Sequence, residues 1–166
     1  MGFLPENRKE DGLALGLPVK DNIVQASLRK LFPSGILNHR REQAIAQAYV
    51  RDLSMACPSV ARMTKFLSGG TQQKAVLAKW LCTKSKFLVF DEPTRGIDVG
   101  AKEEIHELMN GLAAQGVGIL MISSELPEVL ALSDRIYVMR EGAIIAELIT
   151  ERTTQEEIVA YAAGGR

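Results

Sequence analysis

Two short stretches of this chain carry residues of the kind that hold phosphate and move protons. The first reads Leu67-Ser68-Gly69-Gly70-Thr71-Gln72-Gln73. Paired glycines let the backbone approach a ligand closely, and Ala75, Val76, Lys79 and Trp80 beyond them recur at helical spacing. A helix N-terminus offers unpaired N–H groups and the positive end of a dipole, and the Ser68 hydroxyl adds a donor, so this stretch could hold a phosphate. The same residues would also make an ordinary Ser-Gly-Gly helix cap. The second stretch is Phe87-Leu88-Val89-Phe90-Asp91-Glu92-Pro93-Thr94, a continuous apolar run that ends in two carboxylates. At the C-terminal end of a parallel strand, acids stand where ligands bind in such sheets. Asp91 could hold a magnesium ion through water, and Glu92 could orient or deprotonate an attacking water. Alternatively, Asp-Glu-Pro is a polar strand stop.

The elements that must position these residues fall into two patterns. Residues 20–84 read as mostly helical. Asp21 is placed to cap a helix carrying Ile23, Val24, Leu28 and Leu31, broken by Phe32-Pro33-Ser34-Gly35. Asn38 is placed to cap the next, with Ile45, Tyr49 and Leu53 on its apolar side and Arg40, Arg41, Glu42, Arg51 and Asp52 on a wet face. From residue 86 strands and helices alternate. Residues 87–90 and 117–122 read as strands buried on both faces. Between them Asp98 is placed to cap a helix through Ile105, Met109 and Leu112 that Gly116 closes. A short helix over 127–132 is followed by a hairpin, 136–139 and 143–148, turning at Glu141-Gly142. Thr153 with Glu156 reads as a capping box for a last helix. This order argues a parallel sheet covered by helices.

Composition narrows the classes of function. The chain has 166 residues, 46% of them apolar, enough for a packed core. Lys plus Arg number 20 and Asp plus Glu number 20, so the net charge is zero and argues against a general nucleic-acid binder. Cys57 and Cys82 read as two small buried hydrophobes in a reducing compartment. His39 reads as a solvated residue of a capping turn, and His106, next to Glu107, as a helix-surface pair. No signal peptide is visible, and no apolar run approaches the roughly 20 residues of a membrane helix, so a cytosolic location is expected.

Order and spacing join the motifs. After the glycine pair and the acidic strand comes Gly96-Ile97-Asp98, and after one more helix and strand Ser123-Ser124-Glu125. This succession resembles the signature loop, Walker B strand, D-loop and switch region of ATP-binding-cassette (ABC) ATPases. The wording Asp91-Glu92-Pro93-Thr94-Arg95-Gly96-Ile97-Asp98-Val99-Gly100-Ala101-Lys102 and Ile122-Ser123-Ser124-Glu125-Leu126 resembles one branch, over nearly the whole chain. That branch is the second cassette of the tandem ATPases of bacterial ribose-, galactose- and xylose-type importers. Pro5-Glu6-Asn7-Arg8-Lys9-Glu10-Asp11-Gly12-Leu13 resembles the segment where most cassettes carry a Gln loop.

The resemblance implies an α/β fold: an incomplete P-loop NTPase (ABC ATPase) core with a parallel sheet, plus a helical subdomain. Residues 1–19 would be a remnant of the core, 20–84 the helical subdomain ending in the signature loop and helix, and 85–166 the remaining half of the core. It implies ATP and Mg2+ as cofactors. Ser68, Gly69 and Gly70, with Thr71 and Gln72 beside them, would face the γ-phosphate of an ATP held by a partner cassette. Asp91 would be the magnesium residue through water, Glu92 the catalytic carboxylate and Asp98 the D-loop aspartate. Glu6 stands where a glutamine is usual and Ser124 where the switch histidine falls; both fit a degenerate second site. Implied partners are the first cassette of the same ATPase, the membrane permease subunits and, indirectly, a solute-binding protein, with no nucleic acid. The implied place is the inner face of the cell membrane. An ABC-type ATPase of DNA repair or translation, and a non-enzymatic interaction module, are the competing readings.

The family's phosphate loop, Gly-x4-Gly-Lys-Ser/Thr, has no counterpart here. The nearest run, 111–118, contains no lysine and lies between a helix and a strand. In the family the phosphate-loop strand lies between the strands at 117–122 and 136–139. Without it, self-association of the chain at the open edge is expected. Positioning and charge stabilisation supply most of the catalysis in phosphoryl transfer, so the purified 166-residue chain is expected not to hydrolyse ATP. Steady phosphate release that Glu92→Gln abolishes would refute this.

Overall fold

The computed structural model describes residues 1–164, which form two compact units, Met1–Ile122 and a second from Ser123 onward. The first unit opens with a strand, β1 (Gly2–Leu4), and a short π-helical turn, Arg8–Gly12. Helices α1 (Val19–Val24), α2 (Leu28–Leu31), α3 (His39–Asp52) and α4 (Gly69–Cys82) follow. Then come β2 (Phe87–Asp91), α5 (Val99–Ala114) and β3 (Gly118–Ile122). The three strands form one parallel sheet in the order β1-β2-β3, with Leu4 opposite Phe90 and Phe90 opposite Met121.

The sequence pattern gave no hint of β1, which is only three residues long. Gly2 admits it: a Cβ there would stand 2.7 Å from Trp80 Cβ and 2.8 Å from a Leu88 methyl. The two longer strands are less buried than expected. On β2, Leu88 and Phe90 are fully buried while Phe87 is exposed. On β3, Leu120 and Ile122 are exposed, because β3 is the sheet's edge and no further strand joins it among the described residues.

Helix α4 is the axis of the unit. Gly70 through Lys79 are all buried, polar side chains included. Those side chains find partners: Lys79 Nζ donates to the Gly12 carbonyl at 2.6 Å, and Lys74 Nζ to the Ser54 carbonyl at 3.3 Å while pairing with Glu104 at 2.7 Å. Helix α1 packs against it and α3 packs against α1, with Val19, Ile23 and Val24 of α1 and Ala46 of α3 buried. Asn22, fully buried, accepts from the Ala14 amide and donates to the Ala14 carbonyl and the Thr64 hydroxyl.

Two caps are where the sequence places them: Asn38 Oδ1 accepts from Arg41 N, and Asp98 Oδ1 from Ala101 N. Asp21 is not a cap. The first helix begins at Val19 after Pro18, and Asp21, in its first turn, accepts from Lys20 Nζ. A turn at Gln25–Ser27 splits the expected helix into α1 and α2. Glu42 also leaves the expected wet face; it is buried and takes Lys20 Nζ at 2.8 Å. Cys82 is buried and Cys57 only half-buried, both free thiols.

The second unit contains α6 (Leu126–Leu132), β4 (Arg135–Arg140), β5 (Ala143–Ile149) and α7 (Gln155–Ala163). The antiparallel hairpin β4–β5 is a sheet of its own. It turns at Glu141 and Gly142, both at positive φ, as a two-residue hairpin turn requires. Ile136, Val138 and Ile158 are its buried centre. The cap of α7 is Thr154, accepting from Glu157 N, and not Thr153, whose hydroxyl donates to the Ile149 carbonyl.

Burial would push the Glu42 carboxyl up, but hydrogen bonds from Lys20 and His39 and the Lys20 charge hold it below the ordinary value. A carboxyl lowered in the folded state stabilises the fold above its unfolded value, and loses that effect as pH falls through its folded value. Glu42→Gln is therefore expected to lower the urea midpoint at neutral pH, with the deficit shrinking as pH falls below the ordinary carboxylate range and through the lowered folded value. An equal deficit at pH 7 and pH 3 would show that the charge pair is not its source.

Candidate functional site

Ser68 caps α4 in extended conformation, its Oγ accepting from Thr71 N at 3.3 Å and standing 3.0 Å from Thr71 Oγ1. The next two residues must be small because of what lies against them. A Cβ on Gly70 would stand 2.8 Å from Ala101 Cβ of α5, and one on Gly69 would stand 2.8 Å from Arg8 Nη2. Ser68 is exposed, whereas Thr71 and Gln72 are buried. Gln72 Nε2 donates inward to the Thr64 carbonyl at 3.2 Å.

The acidic pair sits at the end of β2. Asp91 is the strand's last residue, in register with Ile122 and half-buried. Glu92 leaves the strand in left-handed conformation, φ 47°, while its N–H still donates to the Ile122 carbonyl at 2.8 Å. For a residue other than glycine that conformation costs of order 1 kcal/mol, and such positions cluster at functional sites. Arg95 N closes a turn onto the Glu92 carbonyl at 3.1 Å, and Gly96 takes φ 68°. This reversal brings Gly96-Ile97 alongside Gly69: the Gly96 carbonyl oxygen would be 3.5 Å from a Cβ there.

The fold thus gathers Ser68–Gln72, the turn ending in Asp98, and the segment around Glu6 at one place. Glu6 forms an ion pair with Arg95. Ser124 lies in the second unit, exposed in the link before α6. The sequence reading missed Arg8, whose guanidinium donates to the Arg95 carbonyl at 3.2 Å and the Gly96 carbonyl at 3.4 Å. No periodicity marks that residue; only its place at the start of the π-helical turn, two residues after Glu6, does. Burial lowers the Arg8 guanidinium's pKa and that of the Lys79 ammonium.

Among the described residues no three His, Cys, Asp or Glu side chains gather to hold a metal. Asp91 alone suits Mg2+, which commonly takes one or two carboxylates, water and substrate phosphates. The donors at the start of α4 suit a phosphate edge, while nothing in the sequence matches the loop that would cradle the β-phosphate.

A family model described as ABC transporter matches residues 3–95. The chain belongs to that family. A Burkholderia ambifaria protein named for ribose, galactose and methyl galactoside import is 52% identical over 166 residues, 99% of this chain and 32% of that protein. The ribose import ATP-binding protein RbsA of Bacillus subtilis is 46% identical over 166 residues, 100% of this chain and 34% of that protein. This ABC chain therefore spans about a third of the length of the curated relatives it matches. A metal-chelate type ABC transporter in an inward-facing conformation has the same fold, with a TM-score of 0.79 at 18% identity, over 98% of this chain and 63% of that one. An ATP-binding cassette in its ADP conformation gives 0.66 at 27% identity, over 95% and 61%. The α/β architecture with a parallel sheet is that of ABC ATPases.

The contact of Gly70 with Ala101 is testable. Gly70→Ala forces the two helices apart and is expected to cost about 1–3 kcal/mol, as overpacking does. Adding Ala101→Gly should recover most of that loss in a double-mutant cycle followed by urea unfolding. A Gly70→Ala chain as stable as the parent would refute the packing.

Proposed function

We propose that the chain supplies the signature-loop half of an ATP site in an ABC ATPase that imports a sugar. The observation that carries this is the start of α4: an exposed Ser68 cap and two glycines, with no acidic residue in the helix's first turn. The names of the relatives, ribose and galactose import, supply the substrate class and favour transport over DNA repair or translation.

Bound ATP with Mg2+ supplies the β–γ phosphate bond whose hydrolysis drives transport. The Ser68 hydroxyl and the Gly69 and Gly70 N–H groups would donate to the γ-phosphate of a nucleotide held by the first cassette, where the α4 dipole favours negative charge. Thr71, through its hydroxyl contact to Ser68, and Gln72, through its bond to Thr64, fix that loop from behind. Asp98 lies at the seam with the partner. At this chain's own, degenerate site Asp91 would hold magnesium and Glu92 would orient the attacking water, with Glu6 and Ser124 at the Gln-loop and switch positions.

On this reading residues 20–84 are the lobe that receives the permease, 1–19 and 85–166 belong to the core, and the solute-binding protein acts through the permease. No helix among the described residues is long and apolar enough to cross a membrane; the ATPase works on the cytoplasmic face, held there by its permease. Taken alone, the chain self-associates through the exposed edge of β3 and does not turn over ATP.

In the intact transporter, Ser68→Arg is expected to reduce ATP hydrolysis by roughly tenfold or more, because it fills the donor site that acts on the intact nucleotide. Glu92→Gln, acting on the degenerate site, should reduce it less. Paired ATPase and uptake assays decide; a loss from Glu92→Gln as large as that from Ser68→Arg would count against the assignment.

A further inference from the structure

Arg8 occupies an electrostatically awkward place. Its Nη2 abuts Gly69, the first residue of α4. A cation is disfavoured at that end of a helix, and burial removes water that would otherwise solvate it. Arg8 Nε is itself buried with no hydrogen-bond partner among the described residues. If the position served packing alone, an apolar side chain of similar length would fill it without these penalties. Compensation comes from the carbonyls of Arg95 and Gly96, which the positive φ of Gly96 helps to present. The neighbouring Glu6 grips the Arg95 side chain as well. Residues 6–8 therefore hold the 95–96 turn at two points, by acid to side chain and by guanidinium to backbone, and press the same guanidinium on the start of α4.

We propose that Arg8 is a positioning residue that locks the Arg95–Gly96 turn to the first turn of α4, so that Asp98 and Ser68–Gly70 move as one body. This deepens the proposed ATP site and rests on that reading for its consequence in catalysis, though the lock itself stands on the contacts within the chain. Loosening it would let the two caps open more readily and lose their mutual registration, which matters because small misplacements of reacting groups have large kinetic effects.

The test compares Arg8→Met, which keeps the stem and removes the donors, with Arg8→Lys, which keeps the charge. Amide hydrogen exchange on the 166-residue chain reads the lock directly. In Arg8→Met, exchange should quicken about tenfold at Thr71 and Gln72 and, together with them, at Ala101 and Lys102, while the β2 amides keep their protection. Arg8→Lys should restore most of the protection at both places. Quickening at one helix only, or uniformly through β2, would overturn the proposal, as would Arg8→Met exchanging like the parent. In the intact ATPase, Arg8→Met should lower kcat about tenfold with KM nearly unchanged. An equal change in KM would also overturn it. If the parent ATPase hydrolyses no ATP, the functional reading fails while the exchange result still decides the role of Arg8.

Discussion

Two helix N-termini meet in this fold, and much of the surrounding structure answers that meeting. Helix α4 starts at Gly69 and α5 at Val99, and Gly70 lies against Ala101. Each start carries the positive end of a helix dipole, so bringing two together is unfavourable unless something negative is near. Elsewhere the chain supplies acids in the first turn: Glu42 in α3, and Glu156 and Glu157 in α7. The first turns of α4 and α5 have none. Oxygen caps at Ser68 and Asp98 offset part of the field. With no acid in its first turn and Ser68 exposed, the start of α4 is the kind of helix end that favours a phosphate.

The rigidity of that arrangement comes from behind it. Helix α4 is surrounded, so its polar side chains had to find partners inside, and each one found ties the helix to a different segment. Lys79 reaches the π-helical turn at Gly12, Lys74 reaches Ser54 and Glu104, and Gln72 reaches Thr64. A buried polar group left unmade costs about 1–3 kcal/mol, more than a made one gains. These bonds therefore act mainly against alternative placements of α4. Asn22 does the same for the 14–18 loop and Thr64.

The parts of this that were legible in the sequence are those governed by local chemistry. Asn38 and Asp98 are caps because a short polar side chain precedes a helical pattern, and Glu141-Gly142 is a hairpin turn because both residues tolerate positive φ. The failures are those where a distant partner decides. Asp21 looked like a cap, yet Pro18 allowed the helix to begin earlier. Glu42 looked like a solvated charge until Lys20, 22 residues away, took it inward. Residues 117–122 looked like a buried strand, but burial depends on which elements flank β3, and a one-dimensional pattern does not report that. Motif order singles out Ser68, Gly69, Gly70 and Asp98, and the fold places them where the starts of α4 and α5 meet. It does not single out Arg8, whose contacts with Arg95 and Gly96 span the whole helical region.

On the proposed reading, the charge inventory of the site fits a role as half of a pair. A nucleotide triphosphate carries several negative charges, and phosphoryl transfer is accelerated mainly by cations and donors placed around them. At the start of α4 this chain offers neutral donors, the Ser68 hydroxyl and two backbone amides, with a helix dipole behind them. Its nearest cation, Arg8, is already engaged with two carbonyls, and its acids, Asp91 and Glu92, stand at a strand end, where they repel phosphate unless a metal ion intervenes. Such a surface can recognise one edge of a phosphate that other groups already neutralise, and it adds little binding energy without them. On the proposed reading, its donors become effective only when a partner brings a charged, metal-bound nucleotide against them. Hydrolysis is then conditional on closure of the two cassettes, and an interface that neither half can complete alone couples the chemistry to a change in the transporter's shape.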